Sequence, residues 1–369
     1  MKRTLLWMFA PALVGAALLG ACSDGTGPAR VAKDQDPLVE RLVEMGFPRD
    51  QIADAGSYFV VEGDIRFDKK ALAAAPRTGP RGGPARQRVV STISGTRRII
   101  RVNLSAVQAE NVSWANATRA ALTNWSSVNG ADITLVEGSP ADMTISFDDD
   151  SNFQSSCTVA EGSFPIAGAP GTIIRINRLY AASYSAGQQT WIMTHELGHN
   201  LGLAHTNSSN GTLIAGTPSS DAGSVMNSGA AFPGCPPAAP TWSAFSSGDQ
   251  LAARTLYPLP VPSLTVSYVS GQPVLTWPSI AGATYVVERV YISYGQDEFG
   301  SFTGYGHAGR ITSVTSPWTD TSWSYTGNYT CHWDQGSGWW LETAYGYNLE
   351  AHFPNGVTTT NQPAAVGVC

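Results

Sequence analysis

The composition of this 369-residue chain limits the kinds of protein it can encode. A hydrophobic fraction of 43% is sufficient for packed cores, and the length allows about two domains with smaller segments beside them. Charged residues make up only 14% of the chain, the net charge is −6, and no basic tract indicates nucleic-acid binding. We therefore expect no nucleic-acid partner.

The N-terminus has the pattern of an export signal. A short basic segment precedes an apolar stretch from Leu5 to Leu19, which is too short to span a bilayer comfortably. The following Leu19-Gly-Ala-Cys22 resembles a bacterial lipobox, so residues 1–22 are predicted to be a lipoprotein signal peptide with Cys22 as the lipid-modified residue. Residues 23–36 would form a flexible tether to the membrane. An ordinary signal peptide and an uncleaved membrane anchor are the alternatives.

Residues 37–88 are predicted to form a small separate unit that ends in a linker. Apolar residues recur at helical spacing in Pro37–Met45, and a second short helix is expected near Pro48. A strand is then predicted from Tyr58 to Phe67. The Pro-, Gly- and Arg-containing segment 72–88 is expected to be exposed and open to proteolytic cleavage.

Residues 89–258 are predicted to form the largest domain, with mixed α and β structure. The predicted elements are strands at Arg98–Asn103, Ala131–Val136, Ala141–Phe147 and Thr172–Asn177, and helices at Val112–Trp125, from Gln188 onward and at Phe245–Tyr257. The acidic run Asp148–Asp150 could bind Ca²⁺ through its oxygen atoms, although a solvated acidic loop is the preferred interpretation.

One segment of this domain carries a set of metal-binding side chains. The residues from His195 to His205 have the pattern His-Glu-x-x-His-x-x-Gly-x-x-His. On a helix, His195 and His199 leave the same face one turn apart. Gly202 can take the left-handed conformation that ends the helix and returns His205 as a third ligand. Three neutral imidazoles with an open fourth position are typical of a catalytic zinc site.

Two further residues complete this pattern. Glu196 follows the first histidine and suits a general base for the water that attacks the substrate. Met226 lies in a Gly/Ser/Asn-rich turn after the third histidine. A methionine turn after this long motif resembles the metzincin zinc endopeptidases. Among them, the chain most resembles the bacterial dual-action HEIGH metallopeptidases, with Leu197 in place of that name's isoleucine.

The resemblance implies an α+β catalytic domain with a twisted sheet and an active-site helix. It implies one Zn²⁺ bound by the three histidines of the motif, with Glu196 as the general base and Met226 as a soft floor under the metal. An edge strand, expected in or near 151–168, would pair with an extended protein or peptide substrate. Some metzincins have a tyrosine two residues after the methionine, where this chain has Ser228.

The resemblance also extends to the predicted N-terminal unit. Its Val61-Glu-Gly-Asp64-Ile run is similar to the N-terminal segment of the same family. We hypothesise that residues 37–88 are a prosegment that covers the cleft, and that Asp64 blocks the metal as a carboxylate ligand. A surface aspartate in a hairpin is the preferred alternative for Asp64.

Four cysteines remain besides Cys22. An even number in an exported chain indicates disulfides, and four cysteines permit three pairings. We favour Cys157–Cys235 and Cys331–Cys369, because each pair lies within one predicted domain. The first pair would close a loop around the zinc helix.

Residues 259–369 follow a proline-rich linker and are predicted to be all β. Short strands separated by turn residues, with Trp277 and Tyr347 placed like core aromatics, resemble a fibronectin type III sandwich. Tryptophans are frequent here and include Trp339–Trp340. Exposed aromatics could bind glycans or a peptide surface, although core packing is the preferred explanation.

The predicted function is that of an exported zinc endopeptidase, lipid-anchored in the cell envelope or released outside the cell. One alternative is a catalytically idle surface protein that binds through its aromatic-rich C-terminal domain. The intact ligand set with its glutamate argues against this alternative. The other alternative is a zinc hydrolase of non-peptide amides.

Overall fold

The computed structural model describes most of the chain from Asp36 onward. The described residues are 36–75, 87–95, 99–208, 210–229, 232, 234–270, 272–297, 300–321, 332–334, 339–360 and 364–365. Cys22 and the predicted signal peptide, nearly all of the tether, and the predicted pair Cys331–Cys369 lie outside these residues. Within the described part, no helix is both long enough and apolar enough to cross a membrane.

Residues 36–75 form a small unit, called here the N-terminal unit. Its elements are α1 (Pro37–Glu44), β1 (Ile52–Asp54), β2 (Tyr58–Val61), β3 (Ile65–Asp68) and α2 (Lys69–Ala74). Asp36 caps α1 by accepting a hydrogen bond from the backbone N–H of Leu38 at 2.8 Å. The strand predicted from Tyr58 to Phe67 is interrupted, because Glu62 and Gly63 have φ values of +55° and +93° and reverse the chain between β2 and β3.

The next elements, from Arg88 onward, form what is called here the catalytic region, which begins one residue before the predicted domain 89–258. They are β4 (Arg88–Val89), β5 (Ile99–Asn103), α3 (Ser105–Glu110), α4 (Val112–Ser126), β6 (Thr134–Glu137), β7 (Met143–Asp148), β8 (Ala160–Ser163), β9 (Ile173–Asn177), α5 (Ala186–Asn200), β10 (Leu203–Ala204), β11 (Thr212–Leu213) and α6 (Ser247–Leu256). The three helices predicted here from periodicity are α4, α5 and α6. The mixed sheet with helices expected of a metallopeptidase domain is therefore confirmed.

Eight strands form one sheet in the order β1-β2-β3-β8-β9-β7-β5-β6. Strands β9, β7, β5 and β6 are parallel, and β8 runs antiparallel to β9. Strand β8 lies within the region 151–168 where the edge strand was predicted. It does not have a free edge in this structure, because β3 of the N-terminal unit pairs with it in parallel.

Two tryptophans of α4 join the sheet to α5. Trp114 and Trp125 are fully buried in the main core. The indole N–H of Trp125 donates to the carbonyl of Thr194 in α5 at 2.8 Å, and that of Trp114 donates to the carbonyl of Ala181 at 2.8 Å. Each indole thus buries its ring and satisfies its one donor, which fixes α5 against the sheet.

The expectation of an exposed linker from 72 to 88 is wrong at the three buried residues Leu72, Gln87 and Arg88. Its first residues belong to α2, and at its other end Gln87 and Arg88 are fully buried. Arg88 lies in β4 between β10 and β11, and its guanidinium donates to the carbonyl of Gly211 at 2.7 Å. A protease therefore has no access to the peptide bond at Arg88 in the folded chain. Residues 76–86 lie outside the described part.

The C-terminal region is all β, as predicted. Its strands are β12 (Thr265–Val269), β13 (Gln272–Thr276), β14 (Thr284–Asp297), β15 (Gly300–Val314), β16 (Trp318–Thr319), β17 (His332–Asp334), β18 (Trp339–Phe353), β19 (Gly356–Thr359) and β20 (Ala364–Ala365). They form two antiparallel sheets whose shared core includes Trp277 and Tyr347. Strands β14, β15 and β18, of 14, 15 and 15 residues, differ from the short strands that were predicted. The fibronectin type III-like arrangement and glycan binding remain predictions.

The turn between β18 and β19 contacts the catalytic region. The side-chain amide of Asn355 donates to the carbonyls of Val128 and Ala131, and the N–H of Gly130 donates to the carbonyl of Asn355 at 2.8 Å. Leu259, just after the predicted domain boundary, is also buried. The two regions are therefore joined by a packed polar contact as well as by the proline-rich linker.

Cys157 and Cys235 form a disulfide across a sequence separation of 78 residues. The closed loop contains the whole of α5. We expect the double substitution of Cys157 and Cys235 to serine to lower the free energy of unfolding by about 2–4 kcal/mol, because the unfolded chain regains the freedom of a long loop. Urea unfolding followed by tryptophan fluorescence measures this change. Equal unfolding midpoints for the variant and the oxidised wild type would contradict the expectation.

Candidate active site

Helix α5 begins and ends with well-defined caps. The Ser185 hydroxyl accepts from the N–H of Gln188, and the Gln188 side chain accepts from the N–H of Ser185, which forms a capping box. At the other end, Gly202 has a φ of +94°, and a Cβ atom there would clash with the carbonyl of Ser91. Only glycine satisfies both conditions, so Gly202 ends the helix and directs the chain toward His205 as predicted from its position.

The three predicted histidine ligands converge on one point. Nε2 of His195 lies 3.0 Å from Nε2 of His199 and 3.3 Å from Nε2 of His205. All three residues are at least 96% buried. The outer nitrogens face away: Nδ1 of His195 bonds the Val225 carbonyl at 2.7 Å, and Nδ1 of His199 bonds the Leu203 carbonyl at 2.8 Å.

Asp64 of the N-terminal unit lies in the same cluster. Its Oδ2 is 3.1 Å from Nε2 of His205 and 3.7 Å from Nε2 of His195, and its side chain is only 17% exposed. Its Oδ1 is buried without a hydrogen-bond partner. The preferred alternative, a surface aspartate in a hairpin, does not describe this position. The hairpin is present, but it inserts the carboxylate between the histidines.

This donor set fits a zinc ion. Zn–N bonds of about 2.0–2.1 Å in a tetrahedral site place ligand nitrogens about 3.3 Å apart, close to the separations seen here. Among the described residues, Asp64 and the three histidines form the group whose donor atoms all lie within 4.8 Å of one another. Three imidazoles and one carboxylate provide the four donors that a tetrahedral ion takes.

The charges in the cluster follow from burial and from close partners. Burial lowers the pKa of His205, but the carboxylates of Asp64 and Glu62 raise it more, to about 10. Burial alone would raise the pKa of Asp64, but the charge of His205 and the hydrogen bonds from the histidines together outweigh burial and bring the pKa below its usual value. Asp64 is therefore ionised. Burial, together with its neighbouring histidines, lowers the pKa of His199 and keeps that ring neutral.

Glu196 lies next to this cluster and does not belong to it. It is 3% exposed, and its Oε2 has no hydrogen-bond partner. Burial and the charge of Asp64 raise the pKa of Glu196 well above its usual value. Gly162 of β8 packs directly on it, since a Cβ atom at Gly162 would lie 3.1 Å from Glu196 Oε2. The carboxylate thus lies between the metal-binding cluster and the sheet edge.

The family of the chain follows from a sequence comparison. The model of the dual-action HEIGH metallo-peptidases matches residues 61–257, which is more than half of the 369 residues. The chain belongs to this family. It is therefore a metallopeptidase, and the matched region includes the three histidines, Glu196, Met226 and the turn that carries Asp64.

Other comparisons show only distant similarity. The structure of myroilysin has a TM-score of 0.33 and 18% identity, covering 47% of this chain and 99% of that one. Pectate lyase Pel3 from Pectobacterium carotovorum has a TM-score of 0.16 and 16% identity, covering 29% of this chain and 27% of that one. No curated protein sequence matches the chain. Neither structural similarity is strong enough to support a functional argument.

Met226 of this HEIGH metallo-peptidase lies against the active-site helix. It is fully buried, and a Cβ atom at Gly198 would clash with its sulfur. Gly198 lies between the first two histidines, so the thioether packs beneath the helix turn that carries them. The N–H of Thr206, next to His205, donates to the Met226 carbonyl at 2.8 Å. The methionine turn therefore contacts both halves of the histidine motif.

Asp249 holds the methionine turn, and its role was missed in the sequence. It is fully buried and accepts hydrogen bonds from the Ser224 hydroxyl at 2.6 Å, the Val225 N–H at 3.0 Å and the Gln87 amide at 2.7 Å. It also completes the capping box of α6 with Ser246. The cap was the only sequence signal, and it does not show that the carboxylate also binds a turn 24 residues earlier.

A pocket of about 200 Å³ opens beside His195 and Glu196. Apart from the acidic and histidine side chains at its metal end, its described lining is apolar or uncharged and includes Tyr184, Trp191, Ile192, Phe232 and Cys157. The ring of Trp191 stacks on His195 at 5.4 Å and meets Phe232 edge-on at 5.2 Å. Ser228 lies at the same mouth, and its hydroxyl accepts from the side-chain amide of Asn207 at 3.1 Å.

The acidic run predicted as a possible Ca²⁺ site has no support. Each carboxylate of Asp148, Asp149 and Asp150 has a cationic or amide partner of its own. Asp148 pairs with Arg175 at 2.7 Å, Asp149 pairs with Arg178, and Asp150 accepts from Asn177 at 2.7 Å. These contacts direct the three side chains to different partners instead of to one ion.

We expect Gly198→Ala to lower the free energy of unfolding by about 1–3 kcal/mol, because the new methyl group overlaps the Met226 sulfur in a fully packed site. Thermal unfolding of the metal-free protein measures the loss. Gly138→Ala is the matched control, since its nearest neighbour would be 3.7 Å away. In the double variant with Met226→Ala, the loss of unfolding free energy should be smaller than the sum of the losses in the two single variants. Strict additivity would contradict this packing.

Proposed function

We propose that the chain is the latent precursor of a zinc-dependent endopeptidase acting on protein or peptide substrates. The observation that carries this proposal is the convergence of three buried imidazole Nε2 atoms, with Glu196 beside them. The family makes the chain a metallopeptidase, and the nitrogen-rich donor set favours zinc over calcium or magnesium, which prefer oxygen ligands.

His195, His199 and His205 would hold the ion. When bound, zinc would supply a Lewis acid that polarises the scissile carbonyl and acidifies water. Glu196 would take the proton of the attacking water and then transfer it to the leaving amine. Its position supports this role, because the carboxylate lies beside the metal-binding cluster and its Oε2 has no hydrogen-bond partner.

Strand β8 supports the proposed mode of substrate binding. An extended peptide paired with β8 would run along the metal-binding cluster and past Gly162, which lies against Glu196. The pocket beside His195 would then receive one substrate side chain next to the scissile bond. Because its inner lining is apolar, an apolar side chain fits there better than a charged one.

Glu196→Gln tests the mechanism. Without the proton acceptor, we expect hydrolysis of casein by the processed enzyme to fall by about 10²–10⁴-fold. Zinc content, measured by atomic absorption, should stay at the wild-type value, because Glu196 is not a ligand. Glu137→Gln is the matched control, since this carboxylate pairs with Arg119 on the surface. Near-wild-type activity of Glu196→Gln would exclude the mechanism.

The same assay separates the two alternative functions. A catalytically idle binding protein would not cleave casein with or without zinc. A hydrolase of non-peptide amides would cleave small amides in a chelator-sensitive manner and leave casein intact. The buried, unpartnered carboxylate of Glu196 beside the metal cluster favours peptidase chemistry over the idle protein.

We further propose that the N-terminal unit keeps the enzyme latent. Strand β3 occupies the substrate edge: the N–H of Gly162 donates to the Asp64 carbonyl at 3.0 Å, and the N–H of Phe164 donates to the Arg66 carbonyl at 3.2 Å. Phe67 stacks on Phe164 at 5.3 Å. The unit thus covers the strand that substrate would use, and Asp64 takes the fourth ligand position.

Asp64→Asn in the unprocessed chain tests latency. Loss of the charged fourth ligand should raise cleavage of a short fluorogenic peptide at least tenfold, about 1.4 kcal/mol of released inhibition. Asp68→Asn is the control, because asparagine caps α2 as well as aspartate does. If the Asp64 variant is as inactive as the unprocessed wild type while the processed enzyme is active, the Asp64 carboxylate is not what keeps the precursor inactive.

The place of action is also a proposal. The lipobox-like sequence at Cys22 supports export and lipid anchoring in the cell envelope, with release outside the cell as the alternative. The disulfide between Cys157 and Cys235 supports an oxidising compartment. We propose that the C-terminal sheets form a fibronectin type III-like domain that contacts surface glycans or substrate.

A further inference from the structure

His205 differs from the other two histidines in the part of the chain that supplies the hydrogen-bond partner of its Nδ1 atom. His195 and His199 bond through Nδ1 to backbone carbonyls of the catalytic region. His205 bonds through Nδ1 to the Oε2 of Glu62, at 2.9 Å, and Glu62 belongs to the N-terminal unit. The Glu62 side chain is 6% exposed and His205 is fully buried, so solvent hardly reaches this contact.

The contact sets which nitrogen of His205 can bind a metal. With an ion at Nε2, the ring of His205 would carry its one proton on Nδ1, where a carboxylate can accept it. Partners of this kind orient metal-binding histidines and make them stronger ligands. The catalytic region supplies such partners for two of its three ligands, and the N-terminal unit supplies the third.

The backbone at Glu62 shows that the side chain is held there against local preference. Its φ of +55° is in the left-handed region, which glycine, asparagine and aspartate adopt more readily than glutamate. The N–H of Glu62 donates to the Gln51 carbonyl at 3.2 Å, and its Oε1 accepts from the side-chain amide of Asn210. The catalytic region therefore binds both carboxylate oxygens of an unfavourable turn residue.

The buried guanidinium of Arg88 adds a charge to this contact. Burial lowers the pKa of Arg88, and the nearby charge of Glu62 opposes that change. His205, Asn210 and Arg88 all belong to the catalytic region and all interact with the one carboxylate that the N-terminal unit places among them.

We infer that Glu62 is a positioning residue of the metal centre, which the N-terminal unit contributes. The inference rests on the proposed zinc site. Through Glu62 the unit orients a ligand, and through Asp64 it supplies one, so the precursor binds zinc more tightly than the peptidase does once the unit is removed. The unit then has two roles: it covers the cleft, and it retains the metal until processing.

Competition between the full-length chain and a chromophoric zinc chelator tests this inference. We expect Glu62→Asn to weaken zinc binding about 10- to 100-fold, because asparagine is too short to reach His205. Glu62→Gln should lie between this variant and the wild type, since its amide oxygen can still accept from Nδ1 without a charge. Asp54→Asn removes a carboxylate of the same unit that pairs with Lys69, and should bind zinc as the wild type does.

A purely structural role for Glu62 predicts a different result. Metal-free Glu62→Asn loses buried hydrogen bonds to His205 and Asn210, which the more favourable left-handed backbone of asparagine offsets only in part, so a lower unfolding temperature is expected in either case. Zinc affinity within about twofold of wild type, a difference under 0.5 kcal/mol, would overturn the inference. Zinc is titrated at a temperature at which the metal-free variant is folded, so a purely structural role would leave the zinc affinity at the wild-type value.

These measurements separate failure of the Glu62 inference from failure of the proposed peptidase function. If the wild-type chain binds no zinc, or if its processed form binds zinc and does not cleave casein, the peptidase proposal fails irrespective of Glu62. If the wild type binds zinc and cleaves casein while Glu62→Asn binds zinc equally well, only the positioning role of Glu62 fails.

Discussion

Three imidazole nitrogens buried in mutual contact are the constraint on which the rest of this structure depends. Three ring nitrogens at such short separation in a buried site repel one another, and a cation that accepts their lone pairs would remove that cost. The Gly202 turn and the close approach of Met226 at Gly198 both keep the rings together. The surrounding core is therefore organised to prevent the cluster from relaxing.

The N-terminal unit is part of this organisation. Its strand β3 continues the catalytic sheet beyond β8, and its phenylalanines share a core with Phe164. The turn between β2 and β3 is consequently held at the metal cluster, where Glu62 and Asp64 both contact His205. One hairpin thus pairs with β8 and places two carboxylates on His205.

A second layer of support lies on the opposite side of the active-site helix. Asp249 of α6 accepts a hydrogen bond from the methionine turn, and Met226 in that turn packs against α5. Trp125 of α4 donates a hydrogen bond to α5. The disulfide between Cys157 and Cys235 joins the loop before β8 to the segment after the methionine turn. Each connection fixes a segment whose own sequence would allow several positions, so the rigidity of the site comes from contacts between distant segments.

Sequence alone determined the parts of this protein that depend on short spacings. Helices α4, α5 and α6 and the grouping of His195 with His199 follow from contacts three or four residues apart, and Gly202 follows from a conformation that other residues disfavour. Asp64 near the metal ligands was a hypothesis from the family resemblance, and the tertiary structure placed it on His205 across 141 residues. The contact of Glu62 with His205 across 143 residues and the burial of Arg88 came from the tertiary structure alone. Local patterns predict local contacts because the chain geometry is the same in every helix. Pairing between β3 and β8 depends on which distant surfaces bury one another, and that is decided only when the whole chain is folded.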